Sequence, residues 1–224
     1  SLGTVLVGTD DGIACLDAET GKAIWKRDDL KKVPDFAVDE IDGSPLLLGT
    51  DNQGAISSKT QLHAVEIISG QDYWQTERLK GAAVGVYPVY EKNMVLVLTT
   101  PNASTNKSNP DMIALNLLSG EVLWESKFPD KVDLHTVDSA GKWFPKYDLS
   151  GHPPPVIDGD SIYFTIGGLH RFDLNTGKVV WGVPYDVTEG RLKRNNAQAV
   201  VDADVVYTSA KGQIRAHDKA TGQI

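Results

Sequence analysis

One eleven-residue pattern occurs in register four times along the chain and starts a fifth time, and this repetition limits the fold more than anything else in the sequence. The first copy is Cys15-Leu16-Asp17-Ala18-Glu19-Thr20-Gly21-Lys22-Ala23-Ile24-Trp25. The second runs from Ala64 to Trp74, the third from Ala114 to Trp124 and the fourth from Arg171 to Trp181. A fifth begins at Ala216-His217-Asp218 and reaches Gly222, and the sequence stops at Ile224, before the next Trp falls due.

Gly21, Gly70, Gly120, Gly177 and Gly222 stand 45 to 57 residues apart, which is the length of one four-stranded propeller blade. Each copy reads as an alternating apolar strand, a Thr-Gly or Ser-Gly turn and a second strand ending on Trp, which excludes helical solenoids. Glycine supplies the positive φ of the hairpin, and the Asp, Asn or Glu four residues before it accepts from the turn amides. Trp four residues after the glycine falls on a fixed face of its strand, so Trp25, Trp74, Trp124 and Trp181 form a recurring aromatic contact between neighbouring blades.

Small residue, x, Asp, three residues, Gly, three residues, Trp resembles the tryptophan-docking motif of the PQQ-like β-propellers. That family includes quinoprotein alcohol dehydrogenases and BamB-like outer-membrane assembly lipoproteins. The resemblance implies an eight-bladed ring in which each Trp stacks between the small residue of its own motif and the Gly of the next. Trp25 then lies between Cys15 and Gly70, Trp74 between Ala64 and Gly120, and Trp124 between Ala114 and Gly177. The fourth copy departs from the pattern, because Arg171 stands where a small residue is expected, so Trp181 is expected to meet an arginine stem or guanidinium.

The expected fold is all-β: a β-propeller of four-stranded blades in an open or partial ring, a single domain over 1–224 with blades at about 1–30, 31–80, 81–130, 131–186 and 187–224. Short alternating runs predict no helix longer than two turns. The tally is eighteen strands, or four and a half blades, because blade one lacks its first strand and blade five its last. This predicts a piece of a longer propeller, with open strand edges available for edge-to-edge self-association. Net charge of −8 argues against nucleic acid as partner. No run of about 18 apolar residues predicts a membrane helix. The start, Ser1 to Val7, reads as strand rather than leader, so a periplasmic or extracellular location follows from the resemblance alone. Cys15, the single cysteine, is expected to be a small packing residue.

Turns on one side are tight: Asp42-Gly43, Lys92-Asn93, Asp158-Gly159, Ala203-Asp204 and the repeat turns. Connections on the other side are long: Arg27 to Asp35, Asp51 to Lys59, Pro101 to Pro110, Asp130 to Gly151 and Pro184 to Asn196. Binding is expected on the long-loop side. The candidates are Lys142, Trp143, Lys146, Tyr147, Arg191, Lys193 and Arg194, with Lys31, Lys32, His135 and His152 nearby, suited to an acidic ligand or a protein surface. Asn102 and Asn106 open glycosylation triplets within an Asn- and Ser-rich loop, where such triplets arise by chance.

A quinoprotein dehydrogenase, by the same resemblance, requires PQQ held by basic and stacking residues, calcium on carboxylate and amide oxygens, a catalytic Asp and, in many members, adjacent cysteines. No cysteine pair, haem motif or calcium cluster is recognisable. Asp10-Asp11, Asp28-Asp29 and Asp39-Glu40 fall at turns and strand ends, and His63, His170 and His217 are isolated imidazoles on third strands. The expected function is therefore a non-catalytic, protein-binding scaffold of a bacterial envelope or exported protein, with no cofactor. A fragment of a PQQ- and calcium-dependent dehydrogenase and a ligand-sensing propeller of a signalling protein are the alternatives.

Overall fold

A computed structural model describes residues 3–9, 11–30, 37–41, 44–53, 59–100, 110–128, 135–137, 143–145, 152–185, 197–210 and 212–224. The first blade comprises β1 (Thr4–Thr9), β2 (Gly12–Asp17) and β3 (Ala23–Arg27). Blade two has β4 (Ala37–Ile41), β5 (Ser44–Gln53), β6 (Lys59–Glu66) and β7 (Asp72–Gln75), with β8 (Leu79–Lys80) paired to β6. In blade three are β9 (Ala82–Val89), β10 (Met94–Thr100), β11 (Asp111–Asn116) and β12 (Val122–Lys127). A two-stranded hairpin, β13 (His135–Val137) with β14 (Trp143–Pro145), precedes blade four. That blade contains β15 (Val156–Asp158), β16 (Ser161–Phe164), β17 (Gly168–Asp173) and β18 (Val179–Pro184), and the fifth holds β19 (Val200–Val201), β20 (Val205–Ala210) and β21 (Gln213–Asp218). Within each blade the strands pair in sequence order. The architecture is all-β, of propeller blades, and the one helical element among the described residues is a 3-10 turn at Tyr90–Lys92.

Two connections expected as loops carry strand residues. Asp51 to Lys59 is expected as a polar loop, yet β5 continues through Gln53 and β6 already begins at Lys59, in the register Asp51↔Gln61, Asn52↔Thr60 and Gln53↔Lys59. A backbone ladder is indifferent to side-chain polarity, so a polar strand end looks like loop in the sequence. Asp130 to Gly151, expected as one long connection, contains the β13–β14 hairpin.

The third and fourth strands of blades one, two and four share one irregularity. Cys15 faces Trp25 but Leu16 faces Ala23, Ala64 faces Trp74 but Val65 faces Asp72, and Arg171 faces Trp181 but Phe172 faces Val179. Each is a β-bulge whose extra residue is the one before Trp: Ile24, Tyr73 or Val180. Bulges bend a strand and re-aim its side chains. Here the extra residue is turned to solvent, with Ile24 49%, Tyr73 43% and Val180 49% exposed.

The chain divides into two compact units, Ser1–Ala103 with Ala114–Leu123, and Ser104–Ile113 with Trp124–Ile224. The core of the first includes Ile13, Cys15, Leu30, Val65 and Ile67, with Leu6 and Trp25 packed against it. Cys15 is fully buried and free, and burial raises its thiol pKa. In the second unit Tyr163, Leu169, Tyr185, Ala199 and Val206 form one cluster. Phe128 meets Phe164, Phe172 and His170 edge-on at 5.6, 5.1 and 5.7 Å in another part of that unit.

Candidate interaction surface and blade seams

The repeat turns are built alike. In all five, the residue four before Gly accepts from the glycine N–H through its carbonyl and donates its own N–H to the residue after Gly, at 2.7 to 2.9 Å. Its side chain supplies the further acceptor: Asp17 Oδ1 receives the Thr20 N–H and hydroxyl, both at 2.7 Å, and Asp218 Oδ1 does the same for Thr221. Those Thr hydrogen bonds hold the Asp17 and Asp218 carboxyls below their ordinary pKa. Gly70, Gly120, Gly177 and Gly222 take φ between 68° and 76°, the left-handed region that favours glycine.

These glycines form one wall of a seam. A Cβ on Gly70 would come within 3.0 Å of Trp25, and the same holds for Gly120 with Trp74, Gly177 with Trp124 and Gly222 with Trp181. Each indole N–H then donates to the carbonyl three residues before that glycine: Trp25 to Ile67 at 2.7 Å, Trp74 to Leu117 at 2.9 Å, Trp124 to Leu174 at 2.9 Å and Trp181 to Lys219 at 3.2 Å. Gly21 differs: a Cβ there meets nothing within 4 Å.

Two seams carry additional polar contacts that the sequence did not disclose. Arg27 donates to Asp29, to Asp72 at 3.0 Å and to the Gly70 carbonyl at 3.1 Å, while His63 Nδ1 lies 3.2 Å from Asp72 Oδ1. The Arg27 hydrogen bond holds the Asp29 carboxyl below its usual range. In the second unit, Arg171 occupies the small-residue position opposite Trp181 and extends to the Lys219 carbonyl at 3.1 Å and the Ser161 hydroxyl at 3.0 Å. The carbonyl that accepts from the indole thus accepts from the guanidinium as well. Lys219 Nζ meets Asp158 at 2.6 Å.

His170 and His217 are packed. His170 donates from Nε2 to the Ile166 carbonyl at 3.0 Å; Nδ1 is buried without a hydrogen-bond partner, and burial lowers its pKa to about 4. His217 donates from Nδ1 to the Gly222 carbonyl at 2.9 Å and accepts at Nε2 from the Tyr185 hydroxyl at 3.0 Å. Tyr185 also contacts the Thr208 hydroxyl, and the Arg215 guanidinium lies 4.4 Å over its ring. Among the described residues no three His, Cys, Asp or Glu side chains converge as metal ligands.

Of the candidates for the long-loop surface, Lys142, Lys146, Tyr147, Arg191, Lys193 and Arg194 lie outside the described residues, as do Lys31 and Lys32. Trp143 opens β14 opposite Val137, and His135 opens β13 opposite Pro145. His152 is tilted against Phe164 at 5.9 Å. Thr50, Thr99, Thr165 and Thr208, within or just past second strands, are also buried, which their polarity does not announce in the sequence.

With seams that repeat residue by residue, a family comparison becomes specific. Residues 9–224 match the family described as "Outer membrane protein assembly factor BamB". The chain belongs to this BamB family. A Rickettsia conorii (strain Malish 7) protein described as uncharacterized is 22% identical over 215 residues, covering 95% of this chain and 45% of that protein. Among solved structures, BamB from Moraxella catarrhalis matches with a TM-score of 0.57 and 16% identity over 98% of this chain and 62% of its own. Saccharomyces cerevisiae Sqt1 matches with a TM-score of 0.60 and 12% identity over 99% and 57%. This BamB-family chain therefore spans less than two thirds of each of these relatives, and at such identities the structural likeness concerns the fold. No described helix of the BamB-family chain is long and apolar enough to cross a membrane.

Proposed function

We propose that the protein is a non-catalytic scaffold that binds other proteins in the bacterial envelope or outside the cell, and that it works without PQQ or calcium. The observation that carries this reading is the BamB-family match over residues 9–224. Two features of the geometry support it. The repeated Trp and Gly residues pack the seams between blades, and the carboxylates of Asp51, Asp72 and Asp158 are held by the cations Arg78, Arg27 and Lys219. A calcium ion needs convergent, uncompensated oxygens, and a carboxylate already paired with a guanidinium or ammonium is a poor donor for one. The loops carrying Lys142, Trp143, Lys146, Tyr147, Arg191, Lys193 and Arg194 are the proposed contact region, since basic and aromatic side chains concentrate binding energy at protein interfaces.

Two measurements on the full-length protein test this. Calorimetric titration with PQQ and calcium is expected to give no stoichiometric heat, and photo-crosslinking side chains placed at Tyr147 and Lys193 in the producing cell are expected to give discrete protein adducts. A tight PQQ complex, or dye-linked oxidation of an alcohol, overturns the reading.

A further inference from the structure

The tight turns carry an anomaly of their own in blades two and three. The position two residues before the repeat glycine is Glu19 in the first copy, Asn175 in the fourth and Ala220 in the fifth, all exposed, but Ile68 in the second and Leu118 in the third. Ile68 is 66% and Leu118 38% exposed. The turn between the first and second strands shows the same substitution. Blade four has Asp158-Gly159-Asp160 there and blade five Asp202-Ala203-Asp204, whereas blade three has Tyr90-Glu91-Lys92-Asn93, with Tyr90 51% exposed. Folding does not demand these apolar side chains, because other copies of the same turns are polar. In this they differ from Ile24, Tyr73 and Val180, which the bulge turns outward in every blade where it occurs.

The three residues lie at one end of consecutive blades. The Leu117 N–H donates to the Asn93 carbonyl at 2.8 Å, joining the Tyr90 turn to the Leu118 turn, and Trp74, which follows the Ile68 turn, donates to the Leu117 carbonyl. Glu66, Glu91 and Glu121 stand in these same turns, as does Asp72, which Arg27 holds; the one cation within them is Lys92. Exposed apolar side chains on linked turns that also carry acidic ones suit a partner segment whose large apolar side chains are interspersed with Lys or Arg.

We propose that the turn end of blades two and three, centred on Ile68, Tyr90 and Leu118, is a docking surface for a basic, apolar segment of a partner protein. This rests on the scaffold reading and places a contact on the tight turns of these two blades.

The test uses the full-length protein and a short fluorescent peptide alternating leucine and lysine, with a leucine–glutamate peptide as control. Anisotropy is expected to show binding of the first and rejection of the second. The double variant Ile68→Glu/Leu118→Asn installs residue types that the first and fourth copies already carry in these turns, and is expected to weaken binding at least about tenfold with an unchanged urea midpoint. Tyr90→Asp, which matches blades four and five, provides an independent second variant. Undiminished binding by both variants, equal binding of the two peptides, or no binding of the basic one overturns the proposal. A photo-crosslinker at Ile68, compared with those at Tyr147 and Lys193, separates the two readings. Adducts from the loops but none from Ile68 discard this surface and leave the scaffold standing, and silence at all three discards the scaffold itself.

Discussion

The indole N–H of Trp74 donates to the carbonyl oxygen of Leu117 at 2.9 Å, 43 residues further along the chain. Trp25, Trp124 and Trp181 make the same contact, each on the carbonyl three residues before the next repeat glycine. One hydrogen bond thus recurs as a register mark between blades. It satisfies a polar group on an otherwise apolar ring, which a buried Trp requires.

Alanine at Gly70 and at Gly21 separates the cost of the seam from that of the turn. Both positions have positive φ, 72° and 67°, and either substitution forces alanine into the left-handed region at about 1 kcal/mol. Only at Gly70 would the new Cβ also strike a ring, at 2.7 Å from Trp25. Urea unfolding is expected to show Gly70→Ala more destabilising than Gly21→Ala by about 2 kcal/mol. Equal effects would mean that the indole yields without cost.

Phenylalanine in place of tryptophan removes the donor and keeps a ring. Trp74→Phe leaves the Leu117 carbonyl without its indole partner, and with the loss of ring contacts it is expected to cost about 3 kcal/mol. At Trp181 the Lys219 carbonyl retains the Arg171 guanidinium at 3.1 Å, so Trp181→Phe is expected to cost about 1 kcal/mol less. Restoring the difference with Arg171→Ala in the Trp181→Phe background checks that the shared carbonyl is the reason.

Acid is expected to destabilise the second unit through His170. Its folded pKa, about 4, lies below the 6.5 of a free imidazole because the ring is buried. Between these values the unfolded chain binds a proton that the folded state refuses, so the contribution is whole above pH 6.5 and is lost as pH falls towards 4. The loss amounts to about 3 kcal/mol. Denaturant unfolding at steps from pH 7 to 4 should show the decline, and His170→Leu should flatten it. An undiminished slope in that variant assigns the acid sensitivity to another group.

Arginine at position 27 binds two carboxylates and a carbonyl with one planar fork. Lysine keeps the charge but cannot reproduce that geometry. Arg27→Lys is expected to destabilise the chain by about 1–2 kcal/mol, much of which should persist in high salt because the arginine side chain is only 15% exposed. Complete loss of the effect at high salt would show that charge alone is at work there.

What the sequence by itself determined was local and periodic. Gly21, Gly70, Gly120, Gly177 and Gly222 announce their turns because positive φ is a property of single residues, and alternation announces strands because successive side chains point to opposite faces. The all-β succession of blades and the recurrent Trp were therefore legible before any coordinates. Which atom each indole meets, how Arg27 reaches Asp72 and the Gly70 carbonyl, and why Arg171 fits where a small residue was expected depend on groups brought together from about 38 to 50 residues apart. Only packing sets those distances. The same limit explains Ile68, Tyr90 and Leu118: an apolar residue in a turn reads in sequence as one more core side chain, and its exposure is decided when the neighbouring blade does or does not cover it.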